Sequence, residues 1–309
     1  MELLTDYDLT NLNTLGVFAR AKVFTEIEKE EDLKKLFNLP EFKINQKIFL
    51  GGGSNILFTK DFDGMVVLNK LKGIEILKEE GDFIFVRSMS GEVWDDLVKF
   101  TTEKNLWGIE NLAFIPGTVG GAPVQNIGAY GSELKDSVEN VEAFDIQNGS
   151  KKIFTKDECE FGYRDSIFKN QLKGQYFIAS ITIKLSKTPK PNLNYKILAD
   201  YLKEHSIEIA NPKDISDAVT HIRESKLPDP KVIGNAGSFF KNVFINKEKL
   251  DELKKIHPDV PSFQEGKDNP KIKIPTAWLI EQCGFKGKSV GNVGVHEKHA
   301  LVLVNYGGG

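Results

Sequence analysis

Residues 108–131, GIENLAFIPGTVGGAPVQNIGAYG, decide how the chain is read. The stretch is rich in glycine and small residues and poor in charge. Glycine permits positive φ and close approach of a backbone to a ligand. A flexible linker would share the glycines but not the apolar residues Leu112, Phe114, Ile115, Val119, Val124 and Ile127, which ask for a core. A second glycine cluster, Gly51, Gly52 and Gly53 followed by Ser54 and Asn55, lies directly after the strand-like run KIFL. Consecutive backbone N–H groups in such a turn can form an anion-binding nest. Neither cluster carries the Rossmann spacing or the Gly-Lys-Ser/Thr ending of a nucleoside triphosphatase loop. Together they suggest two sides of a cradle for a dinucleotide diphosphate.

Outward from these loops the pattern is α+β. Strand-like runs are expected at 21–24, 47–50, 64–68, 73–78, 82–88, 138–145 and 176–184, with helices at 30–36 and 93–103. A Pro/Lys/Asn-rich bridge at 188–192 is the expected domain boundary. Beyond it the spacing predicts helices at 195–204, 215–224 and 276–283 and strands at 207–210 and 300–305. A chain of 309 residues is long enough for two or three domains.

Composition narrows the function classes. The net charge of −3, with 28% charged residues, offers no basic face of the kind that neutralises nucleic-acid phosphates. Cys159 and Cys283 are isolated, so a reducing, cytoplasmic setting is expected and a disulfide framework is not. The spacing of His296 and His299 misses the zinc-binding HExxH pattern, and no metal is expected. The opening residues MELLTDYDLTNLNTLG lack a basic leader and an apolar core, so they are not read as a signal peptide. No apolar run approaches the roughly 20 residues that span a bilayer, so no membrane partner is expected.

Three polar clusters stand out in the second half. In FGYRDS, Arg164 can present a planar fork to a carboxylate, or it can be a surface arginine paired with Asp165. In IRESKLPDP, a helix stopped by proline would hold the Lys226 ammonium at its carboxyl end. In GNAGSFFKN, the small residues before Ser238 allow close approach, and Phe239 and Phe240 are expected to anchor the segment in a core. A serine hydroxyl is a weak proton donor unless the site stabilises the alkoxide, so Ser238 reads either as a turn serine or as an activated acid. No GxSxG elbow surrounds it, which argues against a hydrolase.

In order along the chain, NTLGVFARA, GGGSNILF, the 108–131 stretch, FGYRDSIFK, IRESKLPDPKV, GNAGSFFKN, AWLIEQCGFKG and HALVLVN resemble the UDP-N-acetylenolpyruvoylglucosamine reductase (UDP-N-acetylmuramate dehydrogenase) family, type I branch. The resemblance runs nearly end to end. It implies an FAD-binding domain of the vanillyl-alcohol-oxidase type at 1–187, with α+β subdomains at about 1–70 and 71–187, and an α+β substrate-binding domain at 188–309. It implies FAD as cofactor, NADPH as hydride donor and the enolpyruvyl sugar nucleotide as substrate, for a monomer that makes a cell-wall precursor. By motif position, Arg164 is implied to meet the developing negative charge and Ser238 to deliver a proton. Tyr195, Lys226, Asn235 and Gln282 are implied substrate contacts. Gly51, Gly52, Gly53, Ser54, Asn55, Pro116, Gly117, Thr118, Gly120, Gly121, Asn126, Gly128 and Ala129 are implied flavin contacts.

The family carries a further helix and strand after HALVLVN, with an active-site glutamate. Here the sequence ends at Gly309, and no residue can be given that role. The alternative is therefore a catalytically impaired protein that binds FAD and the sugar nucleotide. An alcohol-oxidising flavoprotein of the same fold would leave the GNAGSFFKN and KLPDP motifs unexplained.

Overall fold

In a computed structural model that describes residues 1–264 and 270–309, the chain divides into two compact units. The first comprises residues 1–13, 18–54 and 58–225, the second residues 14–17, 55–57 and 226–309.

The first unit is built on two sheets. One has the order β1-β2-β4-β3, from β1 (Leu4–Asp8), β2 (Arg20–Ile27), β3 (Gln46–Leu50) and β4 (Phe62–Asn69). Strands β2 and β3 both run parallel to β4; α1 (Glu30–Asn38) and α2 (Pro40–Ile44) carry the chain from β2 to β3, and residues 51–61 return it to β4 between them. Helix α1 starts where Glu30, Glu31 and Asp32 favour a helix amino terminus, and it buries Leu33, Leu36 and Phe37 on one face.

The second sheet is antiparallel throughout, in the order β10-β9-β11-β6-β5. It contains β5 (Ile74–Glu80), β6 (Phe83–Met89), β9 (Val138–Asp145), β10 (Lys151–Thr155) and β11 (Tyr176–Ser186). Helix α3 (Trp94–Glu103) follows β6, and a small hairpin of β7 (Gly128–Ala129) and β8 (Ser132–Glu133) precedes β9. Strand β11 is central and buried on both faces, which explains its nearly unbroken apolar run. A register shift between Ile178 and Ser180 changes its parity. Before the shift, Phe177 and Ala179 join the core shared with the first sheet and α1; after it, Ile181, Ile183 and Leu185 join the opposite core.

That opposite core is closed by α3, α4 (Lys196–Glu204) and α5 (Pro212–Glu224), through Trp94, Leu97, Leu198, Leu202, Ile215, Val219 and Ile222. The helices after the 188–192 bridge are thus buried in the first unit, and the division falls after Ser225 rather than at the bridge. Residues 207–210 form no strand. Ile207 and Ile209 pack on the core, and the Ala210 N–H donates to Asp214 Oδ2 at 2.8 Å. The run leads into the amino-terminal cap of α5, where Asn211 Oδ1 accepts from Lys213 N at 2.9 Å and Pro212 takes the first turn.

The second unit contains a four-stranded sheet, β12-β18-β17-β16, from β12 (Gly234–Ser238), β16 (Ser289–Val290), β17 (Val293–Val295) and β18 (Val302–Asn305). A smaller sheet, β13-β15-β14, joins β13 (Val243–Ile245), β14 (Phe263–Gln264) and β15 (Ile272–Ile274), flanked by α6 (Lys247–Ile256) and α7 (Thr276–Gln282). Two short segments from the amino-terminal half complete this unit. Asn235 N donates to Thr14 O at 2.8 Å, and Asn305 Nδ2 to Leu15 O at 2.9 Å.

Candidate active site

Strand β3 delivers the 51–54 loop against the 116–121 loop. A side chain at Gly51 would run into Thr118 Oγ1, one at Gly52 would come within 3.1 Å of Gly117 Cα, and one at Gly117 would meet Ser54 Oγ at 2.8 Å. The two glycine clusters, 60-odd residues apart in sequence, therefore touch backbone to backbone, as a diphosphate cradle needs. The 116–121 loop is fixed from behind. Trp94 N donates to Gly117 O at 3.0 Å, Val119 N to Glu92 O at 2.9 Å and Gly120 N to Ser90 O at 2.8 Å. Gly121 faces open space, with nothing within 4 Å of where a side chain would begin. Asn55, grouped with this loop by sequence, belongs to the second unit.

Asn126, Gly128 and Arg164 form one cluster on the same unit. Asn126 is fully buried in a left-handed conformation, and its amide is spent internally. Its Nδ2 donates to Glu133 Oε2 at 3.0 Å and to Gly162 O at 2.9 Å, and its Oδ1 accepts from Lys135 N at 3.0 Å. What Asn126 offers a cofactor is thus the shape of its loop. Arg164 donates to the Gly128 carbonyl through Nη2 and pairs with Glu133 Oε1 through Nη1 at 3.3 Å. A side chain at Gly128 would lie 2.7 Å from Arg164 Nη1, so this glycine makes room for the guanidinium. The ion-pair partner is Glu133, not Asp165, whose Oδ1 accepts from Asn170 Nδ2 at 3.0 Å. Glu133 had no local signal. Pairing of β7 with β8 sets it opposite Gly128. Ala129 lies beside Gly128 in β7, half-buried.

Tyr195 rests its ring on the edge of Tyr130 at 5.3 Å. Asn111 Nδ2 holds both segments, donating to Tyr130 O and to Asn192 O at 2.9 Å each, and Asn192 Nδ2 donates to Gly131 O at 3.0 Å. Burial pushes the Tyr130 phenol above its ordinary pKa, and the Arg223 guanidinium opposes that shift.

In the second unit Ser238 ends β12, exposed and opposite Val302, just beyond a register irregularity between Asn235 and Ser238. Gly237, at φ +65°, supplies the turn inside it. Asn235 is buried with its side chain committed. Its Nδ2 donates to Pro228 O at 3.0 Å and Ile233 O at 2.9 Å, and its Oδ1 accepts from Gly237 N at 3.0 Å. Phe239 and Phe240 do not enter a core. They are 43% and 46% exposed and pack on each other at 5.0 Å, because β12 ends on the sheet margin. Lys226 is half-buried and lies in sequence two residues after the last residue of α5, Glu224, so it is not part of the helix. Gln282 is the exposed last residue of α7, and the start of α7 is tied to Asn242 Oδ1 through Thr276 N at 3.1 Å. Arg164 and Tyr195 thus belong to the first unit, and Lys226, Asn235, Ser238 and Gln282 to the second.

Residues 21–153 match the model of the FAD binding domain, and residues 229–309 match that of the UDP-N-acetylenolpyruvoylglucosamine reductase C-terminal domain. The reductase of that name from Flavobacterium johnsoniae is 47% identical over 99% of this chain and 90% of its own length. The chain belongs to the UDP-N-acetylenolpyruvoylglucosamine reductase family. The corresponding protein from Bdellovibrio bacteriovorus is 45% identical over 100% of this chain and 90% of its own. For fold alone, the solved reductase of Thermus caldophilus covers 100% of this chain and 89% of its own at a TM-score of 0.64, with 23% identity. FAD is the family's cofactor, and the loops fit it: Gly51, Gly52 and Gly117 let the two backbones close on each other, and Gly121 leaves open space beside them. Among the described residues no helix is long and apolar enough to cross a membrane.

Proposed function

We propose that the chain reduces UDP-N-acetylglucosamine enolpyruvate to UDP-N-acetylmuramate, a step of peptidoglycan precursor synthesis, with NADPH as the source of hydride. The observation that supports this most is the backbone contact of the 51–54 and 116–121 loops, within a sequence alike over its whole length to reductases of that name. Bound FAD supplies the redox chemistry, taking up a hydride and giving it back.

Hydride arriving at C3 leaves negative charge on C2 and its carboxylate, so the protein must neutralise an enolate-like species and protonate C2. Arg164 is the cation assigned to that charge. With 27% of its side chain exposed, and held by Gly128 and Glu133, it is oriented before any ligand arrives. Ser238 Oγ is assigned as the donor to C2, the O–H bond breaking as the C2–H bond forms. Lys226 and Tyr195 are assigned to the nucleotide phosphates, Gln282 to a polar contact, and Asn235 to shaping the turn at Pro228. The partners are small molecules, and the reading makes the enzyme a cytoplasmic monomer.

Anaerobic half-reactions of Ser238→Ala test the assignment. Reduction of the flavin by NADPH is expected to stay within about twofold of the parent, while reoxidation by the enolpyruvyl nucleotide slows by roughly 10²- to 10⁴-fold. Equal loss in both halves makes Ser238 structural and overturns its role.

A further inference from the structure

The segment leading into the flavin loop is gripped from two sides, and both grips come from residues outside the set above. Phe114 has φ +57°, a left-handed conformation that an aromatic residue adopts only when its surroundings impose it. Its N–H donates to Asp95 Oδ1 at 2.6 Å, and its carbonyl accepts from Arg223 Nε at 3.0 Å. Asp95 sits in the first turn of α3 and is steadied by Lys99 Nζ at 2.8 Å; Arg223 sits in the last turn of α5. Opposite charges thus hold the two sides of one residue's backbone. Three residues further on, the Gly117 carbonyl accepts from Trp94 N at 3.0 Å, so the next anchor of the loop comes from the same turn of α3.

Arg223 is a demanding choice for a bracket. Burial lowers its pKa, and the charged or ionisable groups acting on it are the Tyr130 phenol and the Asp95 carboxylate. A desolvated guanidinium is tolerated where its geometry is needed. Phe114 begins the turn that presents Pro116, Gly117 and Thr118, and a small rotation there would part the two glycine loops.

We propose that Arg223 is a positioning residue for the flavin: through the Phe114 carbonyl it fixes the left-handed turn from which Gly117 and Thr118 reach Gly51, Gly52 and Ser54. The inference rests on FAD binding by this unit, and its test is FAD affinity rather than turnover. The apo form of the full chain is titrated with FAD by quenching of flavin fluorescence. Arg223→Gln is expected to raise the FAD Kd by about tenfold or more, the usual scale for a lost hydrogen bond from a charged donor, and to shift the absorption of the bound flavin. Asp95→Ala should weaken binding as well, and the double variant by less than the product of the two, because both release one residue. Leu202→Ala, a core truncation on α4, provides the control. It should lower the melting temperature yet leave the Kd within about twofold. If Arg223→Gln does not fold, Arg223→Lys carries the same measurement. Should the parent bind FAD and the Arg223 variants bind it equally well, with only their melting temperature lowered, the inference falls alone. Should the parent take up no FAD, the cofactor reading falls with it.

Discussion

Gly53 and Gly237 share one backbone conformation, φ +63° and +65°, and differ in their surroundings. A side chain at Gly53 would run into the Leu12 carbonyl oxygen and lie 2.9 Å from Asn13 Cα, whereas one at Gly237 would meet nothing within 4 Å. At Gly53 glycine is required because backbone packs on backbone. At Gly237 it is required only because the chain turns. The turn at Gly53 is therefore a closed fit that tolerates no added atom, while the turn just before Ser238 is open.

Gly53→Ala should break the first half of that comparison with the largest effect. Strain in the left-handed region adds to a clash with backbone atoms that no rotamer can relieve, so a loss beyond about 4 kcal/mol is expected. Urea unfolding of the apo-protein measures it, and the same variant should take up no FAD. A loss below about 2 kcal/mol would mean that the 51–54 loop can move away from Leu12, and that the cradle is less rigid than the packing indicates.

How much of this was legible in the sequence follows the same division. Each glycine cluster alone reads equally well as a tight turn; only the two together suggest a cradle, and the structure brings them into contact. Strand β9 coincides with the expected run 138–145, although its buried residues Val138, Val141, Ala143 and Phe144 do not alternate strictly. Strand β12 was not expected. Its residues, GNAGS, have no strand propensity, and their pairing with β18 comes from about 65 residues downstream. Helix α6 is absent from the expected helices although Leu250, Leu253 and Ile256 recur at helical spacing in it; only Leu250 is buried. At 207–210 the alternation of Ile207 and Ile209 was real, but it reports packing on a core without a strand partner. Around the candidate site, Glu133 and Arg223 were missed for a shared reason. Each acts on a residue far away in sequence, Arg164 at a separation of 31 and Phe114 at 109, and neither sits in a pattern that announces such a contact.

Gly237→Ala tests the other half of the comparison. With open space around the new methyl group, only the cost of the left-handed conformation remains, about 1 to 2 kcal/mol. Gly237→Asn should lose less than the alanine variant, because asparagine tolerates that region better. Thermal unfolding ranks the two. If alanine proves as damaging here as at Gly53, conformation rather than packing governs both glycines, and the contrast between the two turns fails.

The smallest effect expected concerns charge within the closed region of the first unit. Glu110, 2% exposed, opens the same glycine-rich stretch and accepts the Gly108 N–H on Oε2 at 2.6 Å. Burial raises its carboxyl pKa above the ordinary value, although backbone N–H groups from Gly108, Glu110 and Ile109 pull it back. A carboxyl with a raised folded pKa holds more protons folded than unfolded between the two values. Stability therefore falls as pH rises from the ordinary glutamate range through the folded pKa, and is level above it. Glu110→Gln keeps a carbonyl acceptor for Gly108 and removes the ionisation. It should erase that fall and leave the protein more stable at neutral pH by less than about 1 kcal/mol. Melting temperatures of parent and variant across pH 4 to 8 decide it, at about half-unit steps around the glutamate range. Curves that stay parallel would show that the Gly108 hydrogen bond, and not desolvation, sets the state of this carboxyl. The closed fit of the first unit would then extend to its buried charge, which would be held by donors as tightly as the glycines are held by their neighbours.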